Sequence, residues 1–600
     1  MSSELLTAAR QALKTYFGYD RFRPLQGEVV EHVLSGRDAL VLMPTGGGKS
    51  VCYQVPALVS TGMCVVLSPL IALMKDQVEG LRANGVTAAF LNSSQSFEAQ
   101  SQIVEEVLLA EVKLLYVSPE KALTEEFFSL LRRVKITFFA IDEAHCISAW
   151  GHDFRPEYTR LSLLRERFPE VPMIALTATA DRVTRQDILT QLRLRDARTF
   201  VSSFDRPNLS LNVLPGQKRF EQVLEFIHLR PEQPGIIYCL SRKSTEELTF
   251  KLQAKGIAAA FYHAGMTDVA RSRVQEDFIF DRVPVICATV AFGMGIDKSN
   301  VRWVIHYHLP QSIESYYQEI GRAGRDGRKS DTMLLFSYAD VIQRRKFIAE
   351  SGQPELQEAK LQRMIEYADA QICRRRILLA YFGEHLDQNC GNCDVCRRPP
   401  RRFDGTILAQ KALSALMRMQ ENVGMGMLID VLRGSTRREL IEKGFDKIKT
   451  YGAGADMPLA EWQHVLTQLL NLGLLEIAYE QNYTLRITPA GRAVLFDGAK
   501  VELSRREEIA PLRKEEPRTT TGPYDEKLFE TLRRLRLRLA REAGIPPYQV
   551  FTDVTLEEMS RRFPESEAAM RGISGVGERK MKNYGEEFIA AIRQFRRQKP

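Results

Sequence analysis

Short apolar runs separated by helix-like polar stretches open the chain. From about residue 38 to 205 the runs DALVLMP, MCVVLSP, KLLYVSP, ITFFAID and PMIALTATA alternate with segments whose apolar positions recur at helical spacing. Buried strands divided by helices are the pattern of a mostly parallel sheet in an α/β domain. The rhythm restarts after SSFDRPNLSLN, where PGIIYCLSR, AAAFYHAG, VPVICATVAFGMG, VRWVIHYHLP and TMLLFSY predict a second α/β unit ending near 340. Residues 341–403 are helical and cysteine-bearing. Residues 404–503 carry helical patterns and then LLEIAYEQNYTLRIT, two alternating runs about Gln481-Asn482 that predict a β-hairpin and, in that order, a winged helix. The charged, proline-containing stretch 504–521 has the composition of a solvated linker, and 522–600 form a last helical block.

The expected division is therefore 1–205, 206–340, 341–403, 404–503, a linker at 504–521, and 522–600. A chain of 600 residues, 44% hydrophobic and 26% charged, is too long for a single core, so length alone demands several domains. Its formal net charge of +8 permits polyanionic partners without requiring them. The N-terminal MSSELLTAARQALKTYFGYD reads as an amphipathic helix and not as a secretory signal. No apolar run approaches the roughly 18 residues of a membrane span, so a cytoplasmic protein with no membrane partner is expected.

The chemistry begins with VLMPTGGGKS, a glycine loop between a strand and a helix. Backbone N–H groups of Thr45, Gly46, Gly47 and Gly48 and the helix N-terminus are placed to cradle phosphates, with Lys49 neutralising the outer ones and Ser50 holding Mg²⁺. Met43 stands where the general pattern has its first glycine, and a plain strand-to-helix turn is the competing reading. FFAIDEAH then ends an apolar strand in two carboxylates. Asp142 is the expected Mg²⁺ ligand and Glu143 the residue that orients or deprotonates the attacking water; a solvated acidic face is the alternative. In QEIGRAGRDG, Arg322 and Arg325 are three apart, on one face if that segment is helical, and can reach transferring phosphoryl oxygens.

Four of nine cysteines, Cys373, Cys390, Cys393 and Cys396, gather as C-x16-C-x2-C-x2-C. Four thiolates suit a closed tetrahedral metal site. An iron–sulfur cluster and disulfides remain alternatives at this point, the latter disfavoured in a reducing compartment. The others, Cys52, Cys64, Cys146, Cys239 and Cys287, lie singly in apolar or mixed stretches as buried thiols do.

These motifs in this order, with FGYDRFRPLQ, SPLIALMKDQ, LTATA, ATVAFGMGID and YYQEIGRAGRDG, closely resemble the bacterial RecQ family of superfamily 2 DNA helicases over nearly the whole chain. The resemblance implies two RecA-like parallel-sheet motor domains, a helical zinc-binding subdomain, a winged helix (RQC) and a small all-helical HRDC domain. It implies ATP, Mg²⁺ and Zn²⁺ as cofactors, with zinc on the four cysteines. Tyr19, Arg23 and Gln26 match the adenine-reading motif, with Gln26 on the base edge, and Arg325 matches an arginine finger beside the phosphate ligand Arg322. Ser68–Gln77, Thr177–Thr179 and Thr289–Asp297 match segments that link strand contact to ATP state. Family members also lack the glycine at the Met43 position.

The same resemblance implies 3′-to-5′ translocation on single-stranded DNA and unwinding of duplex or branched DNA in replication, recombination, repair and the SOS response. It further implies nucleoid association, and partners among single-stranded DNA-binding, recombination or topoisomerase proteins. His145, Trp150, His152, Phe154 and Arg155, directly after the acidic pair, match an aromatic loop coupling strand binding to hydrolysis; packing of Trp150 and Phe154 under the lobe is the other reading. Arg433, Arg437 and Arg438 are phosphate-contact candidates in the winged region, and the hairpin tip Gln481–Tyr483 is a candidate wedge. Tyr548 is a stacking candidate in the terminal block, where GISGVGERKMKNYG offers a glycine turn and basic residues outnumber acidic ones. The alternatives carried beside a DNA helicase are an RNA helicase and an ATP-gated scaffold that binds DNA junctions without unwinding.

Overall fold

The computed structural model describes residues 2–92, 95–148, 155–178, 182–292, 298–350, 353–399, 402–478, 484–504 and 524–598. The first lobe is a seven-stranded sheet: β1 (Ala39–Leu42), β2 (Met63–Leu67), β3 (Ala88–Leu91), β4 (Leu114–Val117), β5 (Ile136–Ile141), β6 (Met173–Thr177) and β7 (Arg198–Val201). Its order is β3-β4-β2-β5-β6-β1-β7 and every pairing is parallel. Strand residues alternate between two cores. Leu40 and Leu42 of β1 face one apolar cluster while Ala39 and Val41 face the other; Met63, Val65 and Leu67 of β2 divide likewise from Cys64 and Val66. Helices on both faces explain why these strands read as continuous apolar runs.

The second lobe repeats this plan with β8 (Leu209–Pro215), β9 (Gly235–Tyr238), β10 (Ala259–Tyr262), β11 (Val285–Ala288), β12 (Trp303–His306) and β13 (Ser330–Phe336). The six strands run parallel in the order β10-β11-β9-β12-β13-β8. Three strands lay outside the runs singled out in the sequence. β3 and β7 lie at the two edges of their sheet, and β8 begins inside SSFDRPNLSLN, which reads as a connection because of its Asp-Arg-Pro-Asn turn.

Downstream, the antiparallel pair β14 (Arg402–Asp404) and β17 (Glu502–Ser504) brackets a helical unit that holds the hairpin β15 (Leu475–Ala478) and β16 (Thr484–Ile487). This unit does not have a core to itself. One apolar cluster runs from Ile236 and Val304 of the second lobe through Leu361, Cys373 and Cys393 to Leu413, Trp462 and Leu485. The terminal helices from Glu526 to Gln598 enclose a separate core around Leu532, Phe551, Met559 and Phe588.

That terminal block packs on both lobes. On the first, the Gly575 amide donates to Gly18 O (3.0 Å) and Lys14 Nζ to Arg571 O (3.3 Å); a Cβ on Gly18 would stand 2.7 Å from the Val576 amide nitrogen. On the second, Arg328 pairs with Asp553 (3.1 Å) and Glu557 (2.6 Å). Arg328→Glu converts two attractions into repulsions across this face. It is expected to release the block, read as an increased radius of gyration in small-angle X-ray scattering; an unchanged profile would count against the ionic anchor.

Candidate nucleotide site and metal centre

A parallel sheet presents loops at its carboxyl edge, and the residues expected to handle phosphate occupy that edge of the first lobe. After β1 the chain turns through Thr45–Ser50 into the helix Val51–Val59. Gly46 (φ 82°) and Gly48 (φ 83°) take left-handed backbone that disfavours a side chain. A Cβ on Gly48 would also displace the Gln26 amide, whose Nε2 lies 2.4 Å from its place, and one on Gly46 would press on Arg325 Cα at 3.2 Å. Met43 is accommodated because its side chain is buried beside Cys52 (Sδ–Sγ 3.9 Å), leaving its carbonyl to accept from Lys49 Nζ (3.3 Å).

The loop's own carbonyls are held from outside. Arg206 Nη1 donates to Thr45 O, Arg23 Nη1 to Gly46 O (2.6 Å), and Gln26 Nε2 to Gly47 O (3.4 Å) and Gly48 O (3.0 Å). Gln26 is itself oriented by the Arg23 amide, which donates to its Oε1 (2.8 Å).

β5 delivers the acidic pair. The Asp142 amide donates to Leu67 O (2.9 Å), continuing the sheet, and Asp142 Oδ1 accepts from the Glu143 amide (3.0 Å). Glu143 adopts φ 47°, ψ 44°, a left-handed turn into the 3₁₀ helix Ala144–Ile147; such a conformation costs on the order of 1 kcal/mol and persists where surrounding structure enforces it. Its Oε2 is buried without a hydrogen-bond donor among the described residues and lies 3.4 Å from His145 Nδ1. Burial, aided by the charges of Lys49 and Arg155, pushes the His145 imidazole down to about 3, so it is neutral at physiological pH and contacts Thr177 Oγ1 (2.9 Å).

A cleft of about 370 Å³ gathers most of these groups: Tyr19, Arg23, Gln26, Thr45, Gly46, Gly48, Lys49, Ser50, Asp142 and Glu143 from the first lobe, Arg322 and Arg325 from the second. Gly47 lies in the loop between its lining neighbours. The helical premise for the two arginines fails. The helix Ile313–Ile320 ends before them, and Gly324 at φ 58° carries Arg322 and Arg325 in a turn. Gln77, from the Ser68–Gln77 segment, also lines the cleft; sequence reasoning missed Ser299 and Gln318 as cleft residues, and Arg206 as the donor to Thr45. The signal for Arg206 was a lone guanidinium in an otherwise structural connection.

Of the coupling loop, Trp150, His152 and Phe154 lie outside the described residues. Arg155 is turned back into the lobe, its Nη1 on Pro69 O (2.7 Å). Arg433 is exposed; Arg437 pairs with Asp430 (2.6 Å) and Arg438 with Glu442 (2.7 Å), both exposed. Tyr548 is half-buried, and the tip Gln481–Tyr483 and the expected linker beyond Ser504 fall outside the described residues.

The four clustered cysteines converge as the spacing predicts. Their sulfurs lie within 4.8 Å of one another, with Cys390 and Cys396 at 3.8 Å. Tetrahedral Zn–S bonds of about 2.3 Å place sulfurs about 3.8 Å apart, so the set fits one zinc ion. It is too open for disulfides, and too tight for a cluster in which each thiolate binds a different iron. Amides of Cys390, Asn392 and Cys396 donate to Cys373, Cys390 and Cys393 sulfurs at 3.3–3.4 Å, as thiolate ligands require. Arg374, following Cys373, forks onto Asp394 within the C-x2-C loop (3.0 Å to each oxygen), and Asp394 Oδ2 also accepts from the Val213 amide of β8 (3.2 Å).

With this geometry in view, family models match the chain in sequence: DEAD/DEAH box helicase at 23–188, helicase conserved C-terminal domain at 218–327, RecQ zinc-binding at 338–397, RQC domain at 399–510 and HRDC domain at 525–592. The ATP-dependent DNA helicase RecQ of Haemophilus influenzae is 46% identical over 98% of this chain and 96% of its own. The chain belongs to the RecQ helicase family. Other family members of the same description, from Pasteurella multocida (44% identical, covering 99% of this chain and 95% of that one) and Bacillus subtilis (38%, 99% and 100%), match over equal lengths. The family's five modules thus map onto the two lobes, the cysteine-bearing helices, the hairpin unit and the terminal block. No described helix is long and apolar enough to cross a membrane.

Two outcomes follow for these sites. Cys393→Ser is expected to give insoluble or zinc-free protein, measured by metal content of the soluble fraction; soluble protein with full zinc would refute the four-thiolate site. Gly48→Ala forces a Cβ against Gln26 in strained backbone, so ATP affinity should fall at least tenfold by equilibrium titration while the melting temperature changes little.

Proposed function

We propose that this protein is an ATP-dependent DNA helicase that translocates 3′ to 5′ on single-stranded DNA and unwinds duplex or branched substrates. The observation that carries the reading is the single cleft holding a P-loop and an acidic pair from one lobe and two arginines from the other. Phosphates would lie on the amides of the Thr45–Ser50 turn with Lys49 against their charge. Ser50 and Asp142 would hold Mg²⁺, which supplies charge neutralisation at the β- and γ-phosphates. The buried, unpartnered oxygen of Glu143 is a ready acceptor for the proton of an attacking water, and Gln26 with Tyr19 and Arg23 would receive the adenine. Arg322 and Arg325 lie in the opposite lobe. Charge developing on the transferred phosphoryl group would favour the arrangement in which both lobes face it, so hydrolysis is linked to their apposition.

Separating one base-pair step costs about 1.4 kcal/mol in stacking, so a long duplex requires repeated ATP-driven steps. Ratcheting of the two lobes along one strand supplies them. His145, neutral and with its Nδ1 on Thr177 Oγ1 (2.9 Å) and 3.4 Å from Glu143, would relay strand contact by Trp150, His152, Phe154 and Arg155 to the hydrolytic carboxylate. Arg437, Arg438 and Tyr548 are proposed as auxiliary DNA contacts. Replication-fork maintenance, recombination and repair in a bacterial nucleoid, with single-stranded DNA-binding, recombination or topoisomerase proteins as partners, complete the reading.

Strand displacement on a 3′-tailed duplex should proceed with ATP and Mg²⁺ and be at least tenfold slower on a 5′-tailed one. Lys49→Ala should lower DNA-stimulated ATP hydrolysis about 100-fold or more. Equal rates on both tails would overturn the polarity, and hydrolysis without displacement would favour a junction-binding scaffold. Stronger stimulation by RNA than by DNA would point to an RNA helicase.

A further inference from the structure

Arg206 lies in the segment 202–208 between β7 and β8, the connection between the lobes, and it is half-buried. A guanidinium has five N–H donors in a rigid planar fork. All five are used. Nε donates to Asn208 Oδ1 (3.4 Å); Nη1 donates to Thr45 O of the P-loop and to Gly321 O (3.4 Å); Nη2 donates to Ala323 O (3.1 Å) and Gly324 O (2.9 Å). One side chain therefore touches the P-loop of the first lobe and three carbonyls of the turn that carries Arg322 and Arg325 in the second.

The surroundings reinforce this placement. Gly321 caps the helix Ile313–Ile320, whose carbonyl end carries partial negative charge and attracts a cation. Asn208 Nδ2 donates to Gly324 O (3.0 Å) and Arg328 O (2.9 Å), closing the far side of the turn. Thr45 Cβ lies 3.2 Å from where a Cβ on Gly321 would stand, so P-loop and turn are already in contact. Burial and the like charges of Arg325 and Arg23 work against the guanidinium charge, and the carbonyl oxygens around it offset that cost.

We propose that Arg206 is a positioning residue that fixes the Gly321–Arg325 turn against the P-loop, and so sets the geometry in which Arg322 and Arg325 meet the phosphates. It touches no phosphate itself. The inference rests on the ATP-hydrolysing reading above and adds to it the element that aligns the arginines across the lobes. Lysine cannot replace it, because three donors on one point cannot serve carbonyls on both sides of the interface. Misplacing reacting groups by about 1 Å can cost about 100-fold in rate.

The test uses the full chain with saturating single-stranded DNA. Arg206→Lys and Arg206→Ala are each expected to lower kcat for ATP hydrolysis about 10- to 100-fold, with KM for ATP within about threefold of wild type. Affinity for single-stranded DNA should be unchanged, and millimolar guanidinium should restore part of kcat to Arg206→Ala but not to wild type or Lys49→Ala. An Arg206→Lys rate within twofold of wild type would overturn the inference alone, as would a loss confined to KM or to melting temperature without guanidinium rescue. A wild-type protein that hydrolyses no ATP with DNA present would overturn both this inference and the function on which it rests.

Discussion

Two parallel sheets can turn their carboxyl edges toward one another only if the chain joining them is held in place, and here the segment 202–208 is gripped from several sides. Phe204 stacks on Phe382 (centroids 4.7 Å, planes 13° apart), its amide donates to Glu384 (2.8 Å), and its carbonyl accepts from Tyr317 Oη (2.7 Å). Asp205 pairs with Arg375 (2.6 Å), and Arg206 reaches both lobes. Each contact is a modest increment alone; jointly they restrict the one stretch of chain on which the cleft geometry depends.

This explains why a metal far from the phosphates belongs to the motor. Cys373 immediately precedes the helix Arg374–Tyr381, so the four-cysteine knot fixes where Arg375 and Phe382 meet the hinge. On its other side the knot lies along β8: the Leu211 amide donates to Asn392 O (3.3 Å), and Leu211 pairs with Cys393 in an isolated bridge. An exposed edge strand is thereby covered, and the hinge gains a rigid support. The shared apolar cluster extends that support to the hairpin unit, while Tyr317, Leu379 and Phe382 pack into the core of the first lobe.

The P-loop is also held from outside. Its carbonyls are occupied by Arg206, Arg23 and Gln26, and the Gly47 amide closes the turn on Pro44 O (2.9 Å). Gln26 holds two of these carbonyls at once, its Nε2 donating to Gly47 O (3.4 Å) and Gly48 O (3.0 Å), so the conformation of the loop depends on this one side chain.

Much of this was legible in the residues alone. Strand periodicity placed ten of the thirteen motor strands, and the local chemistry of TGGGKS, DEAH and the cysteine spacing named groups whose function depends on short-range backbone geometry. The three missed strands are two edges and one that begins in a turn-rich segment, where burial on both faces does not imprint a continuous apolar run. Arg322 and Arg325 line the cleft, yet not on a helix, because the helix ends at Ile320 and Gly324 turns the backbone left-handed. What chain-local chemistry could not supply was adjacency across the hinge. Arg206 bonds to carbonyls of residues 45, 321, 323 and 324, and a carbonyl carries no side-chain signature. The first lobe's two faces, the phosphate turn and the metal set were local matters written in residue order. The meeting of the two sheets, the shared core and the role of the connecting arginine exist only after long-range packing brings distant backbone together.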